Sequence, residues 1–233
     1  KYLDVMTAVS PAAMTYAKSI TTRHIVTVPN GIDLTKYKKR SNNQTGKQKT
    51  IFYVGRLEKR KAVKYLLEAF NLLRSTHPEF RLLIGGNGPD REKLEDYVKE
   101  YKIPGVEFLG YISEEEKLTL LQTADVFCSP AMYGESFGIV LLEAMATGCV
   151  VVAGNNAGYS GVMTGTGQLS LVNPKDTPEF ARRLELLATD SRVRSAWLDW
   201  AYQEIDQYNY DTVIDHYLAV YKAAYAKKHA KTA

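Results

Sequence analysis

Two glutamates, Glu135 and Glu143, stand in a run of small and apolar residues where carboxylates have no ordinary place. The run reads Pro130-Ala131-Met132-Tyr133-Gly134-Glu135-Ser136-Phe137-Gly138-Ile139-Val140-Leu141-Leu142-Glu143-Ala144. Glu135 falls in the loop after a predicted strand. Ser136, Phe137 and Gly138 then offer successive backbone N–H groups where the next helix opens, and unpaired donors at a helix N-terminus favour phosphate. Glu143 lies about two turns into that helix, at 3.6 residues per turn, among apolar neighbours where an unbonded carboxylate is costly. A loop carboxylate, an amide nest and a buried helix carboxylate suit a sugar, a diphosphate and a ribose diol. The plainer alternative is a surface glutamate beside a fortuitous core glutamate.

Two further junctions carry chemistry. Gly55-Arg56-Leu57-Glu58-Lys59-Arg60-Lys61 follows a predicted strand and opens a helix. Gly55 allows a tight turn, and Arg56 and Lys61 set two cations at a helix start, where they oppose the helix dipole and suit a diphosphate through charge-assisted bonds. Chance basicity of a surface loop is the competing account. Gly85-Gly86-Asn87-Gly88-Pro89-Asp90 is the other junction. It reads either as a turn or as a loop whose Gly86 and Gly88 let a ligand approach the backbone. It is not GxGxxG, and no acid follows at the distance a dinucleotide site needs, which disfavours a dehydrogenase.

The elements that must position these groups alternate. Strands are predicted at residues 51–54, 81–84, 106–109, 125–128 and 149–153, with helices at 63–74, 91–101, 114–122 and 138–146 between them. The helix from Glu114 carries a capping box, Ser113 with Glu116. Alternating βα units with near-continuous apolar strands imply an α/β, Rossmann-like doubly wound parallel sheet. Before them come a short strand at 4–9, a helix opened by Ser10-Pro11 and a strand at 25–28. After them come a strand near 168–172 and helices at 178–188, 191–207 and 210–228. Ile214, Tyr217, Tyr221 and Tyr225 form an apolar stripe with phenolic tips on the last helix.

Length and composition bound the rest. At 233 residues the chain is long for one domain and short for two. Apolar residues are 45% and charged residues 24%, which excludes disordered and coiled-coil classes. Cys128 and Cys149 lie in apolar runs without CxxC spacing, so a reduced compartment is expected, with no disulfide framework. The start, Lys1-Tyr2-Leu3-Asp4, lacks the pattern of a signal peptide and reads as a cut inside a longer chain. Residues 137–154 approach membrane-span length, but their grammar is helix, glycine stop and buried strand. The net charge is +4, concentrated between residues 34 and 57 in Lys36, Lys38, Lys39, Arg40, Lys47, Lys49 and Arg56. Residues 41–46 within it are loop chemistry with no aromatic residue to stack a base, so a solvated linker is favoured over a nucleic-acid surface.

These residues resemble the retaining glycosyltransferases of the two-domain GT-B fold, the broad family 4 that includes the phosphatidylinositol mannosyltransferases. The resemblance runs from Asp4 to about Tyr225. Its most specific element is Glu135-Ser136-Phe137-Gly138-Ile139-Val140-Leu141-Leu142-Glu143-Ala144-Met145-Ala146, similar to the family's E-x7-E signature. Supporting pieces are Val28-Pro29-Asn30-Gly31-Ile32-Asp33, Val54-Gly55-Arg56-Leu57 with Lys61, Gly86-Asn87-Gly88-Pro89 and Ala124-Asp125-Val126-Phe127.

The resemblance implies that Arg56 and Lys61 hold the donor diphosphate and that Glu135 contacts the transferred sugar, these three being the catalytic set. It implies a donor-binding set of Gly55, Gly86, Gly88, Ile112, Glu114, Lys117, Ser136, Phe137, Gly138 and Glu143, with Glu143 on the ribose hydroxyls. Glu114 and Lys117 look similar to the base site of GDP-binding members. Two departures stand out: Ala62 where the family often has glycine after the lysine, and Gly158-Tyr159-Ser160-Gly161 where it often has Gly-x-x-Glu. His24, His77, His216 and His229 do not match the family's active-site histidine, which belongs to the acceptor domain.

The resemblance therefore implies three regions: 1–32 as the tail of an N-terminal acceptor domain, 33–194 as the nucleotide-sugar domain, and 195–233 as helices packing back toward the acceptor domain. The expected activity is transfer of a hexose, mannose from GDP-mannose, to an acceptor lipid or glycan, with no cofactor, no metal and no nucleic acid. This fragment alone is expected to be inactive without its acceptor domain. The expected location is the cytoplasm, including the inner face of the membrane by peripheral association. The alternatives are a UDP- or ADP-glucose transferase of the glycogen-synthase kind, a sugar-nucleotide epimerase of the same architecture, and a basic nucleic-acid module.

Overall fold

The computed structural model describes residues 3–38 and 48–230. The loop stretch at 41–46, with Lys39, Arg40 and Lys47, lies outside them. The alternating pattern forms one six-stranded parallel sheet. Its strands are β3 (Lys49–Val54), β4 (Phe80–Gly85), β5 (Val106–Gly110), β6 (Val126–Ser129), β7 (Val150–Gly154) and β8 (Leu171–Val172), in the order β5-β4-β3-β6-β7-β8. All five pairings are parallel. The expected α/β doubly wound sheet is present. Ile51, Phe52, Phe80, Leu82, Ile84, Val126, Phe127 and the whole of β7 are buried on both faces, which is why these strands are continuously apolar.

Strand order reverses between β3 and β6, so the loops leaving these two strands open side by side. Ligands of doubly wound sheets bind beyond the carboxyl ends at such a switch point. The first loop leads through a 3-10 turn (Lys59–Lys61) into α2 (Val63–Thr76), and the second leads into α5 (Ile139–Thr147). Between these come α3 (Arg91–Glu100) and α4 (Glu114–Thr123). The α4 capping box forms as expected, with Ser113 Oγ accepting from Glu116 N and Glu116 returning to Ser113 N.

Before the sheet, β1 (Met6–Ala8), α1 (Pro11–Lys18) and β2 (Ile25–Thr27) form a separate unit with its own parallel pair. Beyond β7 lie α6 (Ala157–Ser160), α7 (Thr177–Thr189), α8 (Ser191–Glu204) and α9 (Tyr210–His229). The strand expected at 168–172 is only Leu171–Val172. The residues before it form a 3-10 turn over Gly165–Ser170, where Gly167 lies against the Trp200 ring.

A division at residue 194 does not follow the packing. It cuts through α8, whose Trp197 and Ala201 are fully buried in the same core as the sheet. Trp197 Nε1 donates to Ser170 Oγ at 2.7 Å, which ties α8 to the 3-10 turn beside β8. Only α9 leaves that core, burying Val213 alone. Its Lys228 lies 3.6 Å from Asp4, and Ala219, Val220 and Ala223 line a cleft with Val5 and Val26. The last helix therefore runs beside the first unit on its small residues, while Ile214, Tyr221 and Tyr225 face outward.

His77 joins α2 to α7 from the end of α2, with Nδ1 at 3.2 Å from Glu79 and Nε2 at 3.1 Å from Glu185. Burial pulls its pKa down, but the hydrogen bonds and charges of the two carboxylates outweigh burial and raise it above the ordinary 6.5. A raised folded pKa contributes stability that is fully present below about 6.5 and is lost as pH rises through the folded value. The gap in Tm between the wild-type chain and His77→Gln is therefore expected to narrow between pH 6 and pH 9 in thermal melts. A gap that widens with pH would contradict the assignment.

Candidate donor site at the switch point

Two clusters of charge form, one where the β3 and β6 loops meet and one between α4 and α5. In the first, Lys61 Nζ lies 2.6 Å and Arg60 Nη1 lies 2.7 Å from the same oxygen, Glu135 Oε1. Arg60 Nε also reaches Glu58 at 2.7 Å, and Met132 N donates to the Arg60 carbonyl at 2.9 Å. The β3 and β6 loops are thus joined through backbone and side chain. Burial pulls the Arg60 pKa down, and Glu135 and Glu58 more than reverse it.

In the second cluster, Lys117 on α4 lies 2.7 Å from Glu114 and 2.9 Å from Glu143 Oε2. Tyr37 donates its hydroxyl to Glu143 Oε1 at 3.3 Å, and Lys117 reaches the same oxygen at 3.1 Å. The expected buried carboxylate on α5 is present: Glu143 is 8% exposed. Its Oε2 is shut off from solvent, with the Lys117 ammonium 2.9 Å away but no well-aligned hydrogen bond. Burial lowers the Lys117 pKa, yet Glu114 and Glu143 win and hold it above the usual lysine value. Burial, then Glu143, pushes the Tyr37 phenol up.

Between the clusters, Gly138 adopts φ +112° at the start of α5, a conformation that favours glycine. A side chain there would meet Tyr159. Ser136 and Phe137 form the bend that leads into Gly138, the N-cap of α5, and the first amides of α5 have no acceptor within the helix. The Phe137 ring itself packs edge-on against Tyr208 with centroids 5.8 Å apart, so its side chain belongs to the core. Ser10, the N-cap of α1, donates to the Ser136 carbonyl, which brings the first unit onto this loop.

The other expected residues fall around these clusters. Arg56 is in neither: its side chain is 69% exposed and lies 3.5 Å from Glu58. Gly86 and Gly88 face the neighbouring loop. A Cβ on Gly86 would sit 2.0 Å from the Gly55 carbonyl oxygen, and one on Gly88 would sit 2.2 Å from that of Leu57. Loop against loop thus accounts for the need for glycine. Ile112 packs at Gly85 beneath them. The exposed Tyr111 ring borders a cleft with Ser113, Glu116, Thr119 and Leu120, on the α4 face away from Lys117. A more enclosed cleft of about 420 Å³ lies between α2 and α3 behind Glu58, lined by Lys59, Tyr65, Lys93, Tyr97 and Met132. None of the four histidines belongs to either cluster. Among the described residues no group of His, Cys, Asp or Glu could hold a metal ion.

Residues 35–204 match the family of glycosyl transferases group 1. The chain belongs to that family. It is 30% identical over 219 residues to a phosphatidyl-myo-inositol mannosyltransferase of Mycolicibacterium smegmatis, covering 92% of this chain and 56% of that protein. It is also 30% identical over 203 residues to a glycogen synthase of Mycobacterium tuberculosis, covering 86% of this chain and 49% of that protein. The chain therefore spans about half the length of these relatives. Among solved structures, HepE of Anabaena in complex with UDP superposes with a TM-score of 0.83 at 20% identity, over 94% of this chain and 64% of that one. This places the chain's sheet and helices within the GT-B fold.

Both departures noted at Ala62 and at residues 158–161 have a physical account. Ala62 takes φ +58° and ψ +26°, the left-handed conformation that glycine adopts freely. Ala62→Gly is expected to stabilise the chain by about 0.5–1 kcal/mol, read as an increase in the urea midpoint, because a Cβ is disfavoured there. At the second departure, Asn156 caps α6, its side chain accepting from Gly158 N and Tyr159 N. Tyr159 is buried and its hydroxyl bonds Ser129 Oγ at 2.8 Å. Gly158 lies against the Glu135 carbonyl, where a Cβ would come within 2.2 Å. Asn156, Tyr159 and Gly158 thus build the support of Glu135 without a second glutamate.

Residues missed in the sequence are Arg60, Tyr37 and Asn156. Arg60 was hidden in a run of cations. Tyr37 and Asn156 act across chain separations that local pattern does not register. Among the described residues no helix is long and apolar enough to cross a membrane.

Proposed function

We propose that this chain forms the donor-binding part of a retaining glycosyltransferase that moves mannose from GDP-mannose to an acceptor hydroxyl. The observation that carries the reading is the pair of clusters, one joining the β3 and β6 loops at the switch point before α5 and one between α4 and α5. Lys61 and the α5 amides suit a diphosphate, Glu135 the sugar, and the Glu143 carboxylate a ribose hydroxyl. Arg56 is exposed and has the reach of an arginine side chain to add a second cation. Glu114 and Lys117 next to Glu143 favour guanine, because a carboxylate accepts from more than one guanine N–H.

In retention by front-face attack the diphosphate leaves on the side where the acceptor enters. Stabilising its growing charge with fixed donors lowers the barrier, and the chain's own cations supply this without a metal. The name of the mycobacterial relative supports a lipid acceptor, with which peripheral association at the inner face of a membrane is part of the proposal, while a glycan acceptor is the alternative. A second reading, glucose from UDP- or ADP-glucose, is favoured by the glycogen synthase relative.

Calorimetric titration of the chain with GDP, UDP and ADP, each repeated in EDTA, tests these readings. The expected result is preferential GDP binding that EDTA leaves unchanged. Preference for UDP or ADP selects the second reading, loss of binding in EDTA removes metal independence, and binding of none removes the donor role.

A further inference from the structure

Arg60 belongs to no set expected from the sequence, yet it has more partners at the site than any other cation there. Nε reaches Glu58 at 2.7 Å, Nη1 reaches Glu135 Oε1 at 2.7 Å and the Gly134 carbonyl at 3.3 Å. Its own carbonyl takes Met132 N. The guanidinium is a rigid planar fork, and here it is engaged on two edges and at the backbone. Lys61, in contrast, ends in a compact ammonium on a flexible four-carbon stem, and its one ion pair is with Glu135. Two cations thus share a single carboxylate oxygen, Arg60 held at several points and Lys61 held there by that ion pair.

This sharing has a consequence for a phosphate ligand. While Lys61 holds Glu135 at 2.6 Å, its charge is committed to a carboxylate and not to a diphosphate. If Lys61 turns to an incoming diphosphate, Glu135, only 15% exposed, faces a new anion with one partner fewer. An unpaired, largely buried carboxylate next to a second anion is costly. Arg60 removes that cost by remaining on the same oxygen.

We propose that Arg60 is a positioning residue that keeps Glu135 paired and aimed while Lys61 exchanges from Glu135 to the diphosphate of the donor. This rests on the donor-binding reading above. No bond is made or broken; one ion pair is exchanged for another, and Glu58 holds Arg60 in place throughout. Without Arg60, Lys61 is the sole cation on Glu135 and is retained there, so a diphosphate competes with Glu135 for it.

The test is a double-mutant cycle on GDP affinity, measured by calorimetry on the chain, with folding of each variant checked by thermal melts. Arg60→Ala is expected to weaken GDP binding roughly tenfold, the size of one lost charge-assisted bond. Arg60→Gln, which keeps hydrogen-bonding groups without the charge, should weaken it to the same extent, and Arg60→Lys should restore part of it. In the Arg60→Ala background, Glu135→Gln should return GDP affinity to within about twofold of wild type, because a neutral amide no longer retains Lys61.

A merely structural Arg60 predicts the opposite, since removing Glu135 as well deletes another tie between the loops. A double variant as weak as Arg60→Ala or weaker, or Arg60→Ala and Arg60→Gln binding like wild type, would overturn the proposal. Failure of the wild-type chain to bind GDP, UDP or ADP would overturn the donor reading and this inference with it. Should Arg60→Ala not fold, Arg60→Gln carries the same cycle.

Discussion

Lys61→Ala is expected to lower kcat by roughly 10²–10³-fold in the full-length protein that carries this chain, by analogy with loss of one preorganised oxyanion donor. In the proposed donor complex, negative charge accumulates on the departing oxygen as the bond from sugar to diphosphate lengthens, and the α5 amides and the Lys61 ammonium are the groups proposed to meet it. Lys61 is largely buried, with a side chain 18% exposed, so its field is less screened than that of Arg56, whose side chain is 69% exposed. Folding should hardly change, because Arg60 still pairs with Glu135 at 2.7 Å, and the melting curve should stay within a shift equivalent to about 1 kcal/mol. Initial rates over a range of GDP-mannose concentrations separate the effects. A fall in kcat with a near-normal melt assigns Lys61 to the reaction, and an unchanged kcat removes it.

The sheet was legible because its signals are local. Near-continuous apolar strands such as Val150-Val151-Val152 and the Ser113–Glu116 box are read from a few consecutive residues, and they lead to elements with bounds close to those expected. Glu135, Lys61, Glu143 and Lys117 were legible for a different reason. Glu135 and Glu143 are carboxylates in a small, apolar run and Lys61 is a cation at a helix start, so each stands against its local pattern, whereas Lys117 came only through the resemblance.

What the sequence did not disclose depends on pairs far apart in the chain. Tyr37 meets Glu143, Asn156 donates to the Ala131 carbonyl at 2.8 Å, and Arg60 meets Glu135. In each case one loop supplies the partner of another, and periodicity carries no record of that. Gly86 and Gly88 illustrate the same limit. Their spacing was compatible with a turn or with a bound ligand, and the structure adds a third constraint, close packing against Gly55 and Leu57.

Glu143→Ala is expected to lose nucleotide affinity and stability together, and its pattern with pH is specific. Glu143 and Lys117 are both nearly buried, with side chains 10% and 14% exposed. Removing one partner of a buried pair commonly costs about 3–5 kcal/mol because the other charge is left uncompensated. Here Glu114 remains 2.7 Å from Lys117, but it is 88% exposed and therefore well screened, so a loss of roughly 2–3 kcal/mol is expected. Lys117 titrates above its usual 10.5 in the folded chain, since the two carboxylates outweigh burial. Its stabilisation is thus fully present below about 10.5 and lost as pH rises through the folded value. The difference in unfolding free energy between wild type and Glu143→Ala should be flat from pH 6 to pH 9 and shrink above pH 10.5, measured by urea titration at each pH. Glu143→Gln, which keeps the shape and an acceptor for Tyr37, should unfold less readily than Glu143→Ala. It should still bind GDP more weakly than wild type, because a ribose hydroxyl donates more strongly to a carboxylate than to an amide oxygen. Wild-type GDP affinity in Glu143→Gln would leave Glu143 as the counter-charge of Lys117 and nothing more.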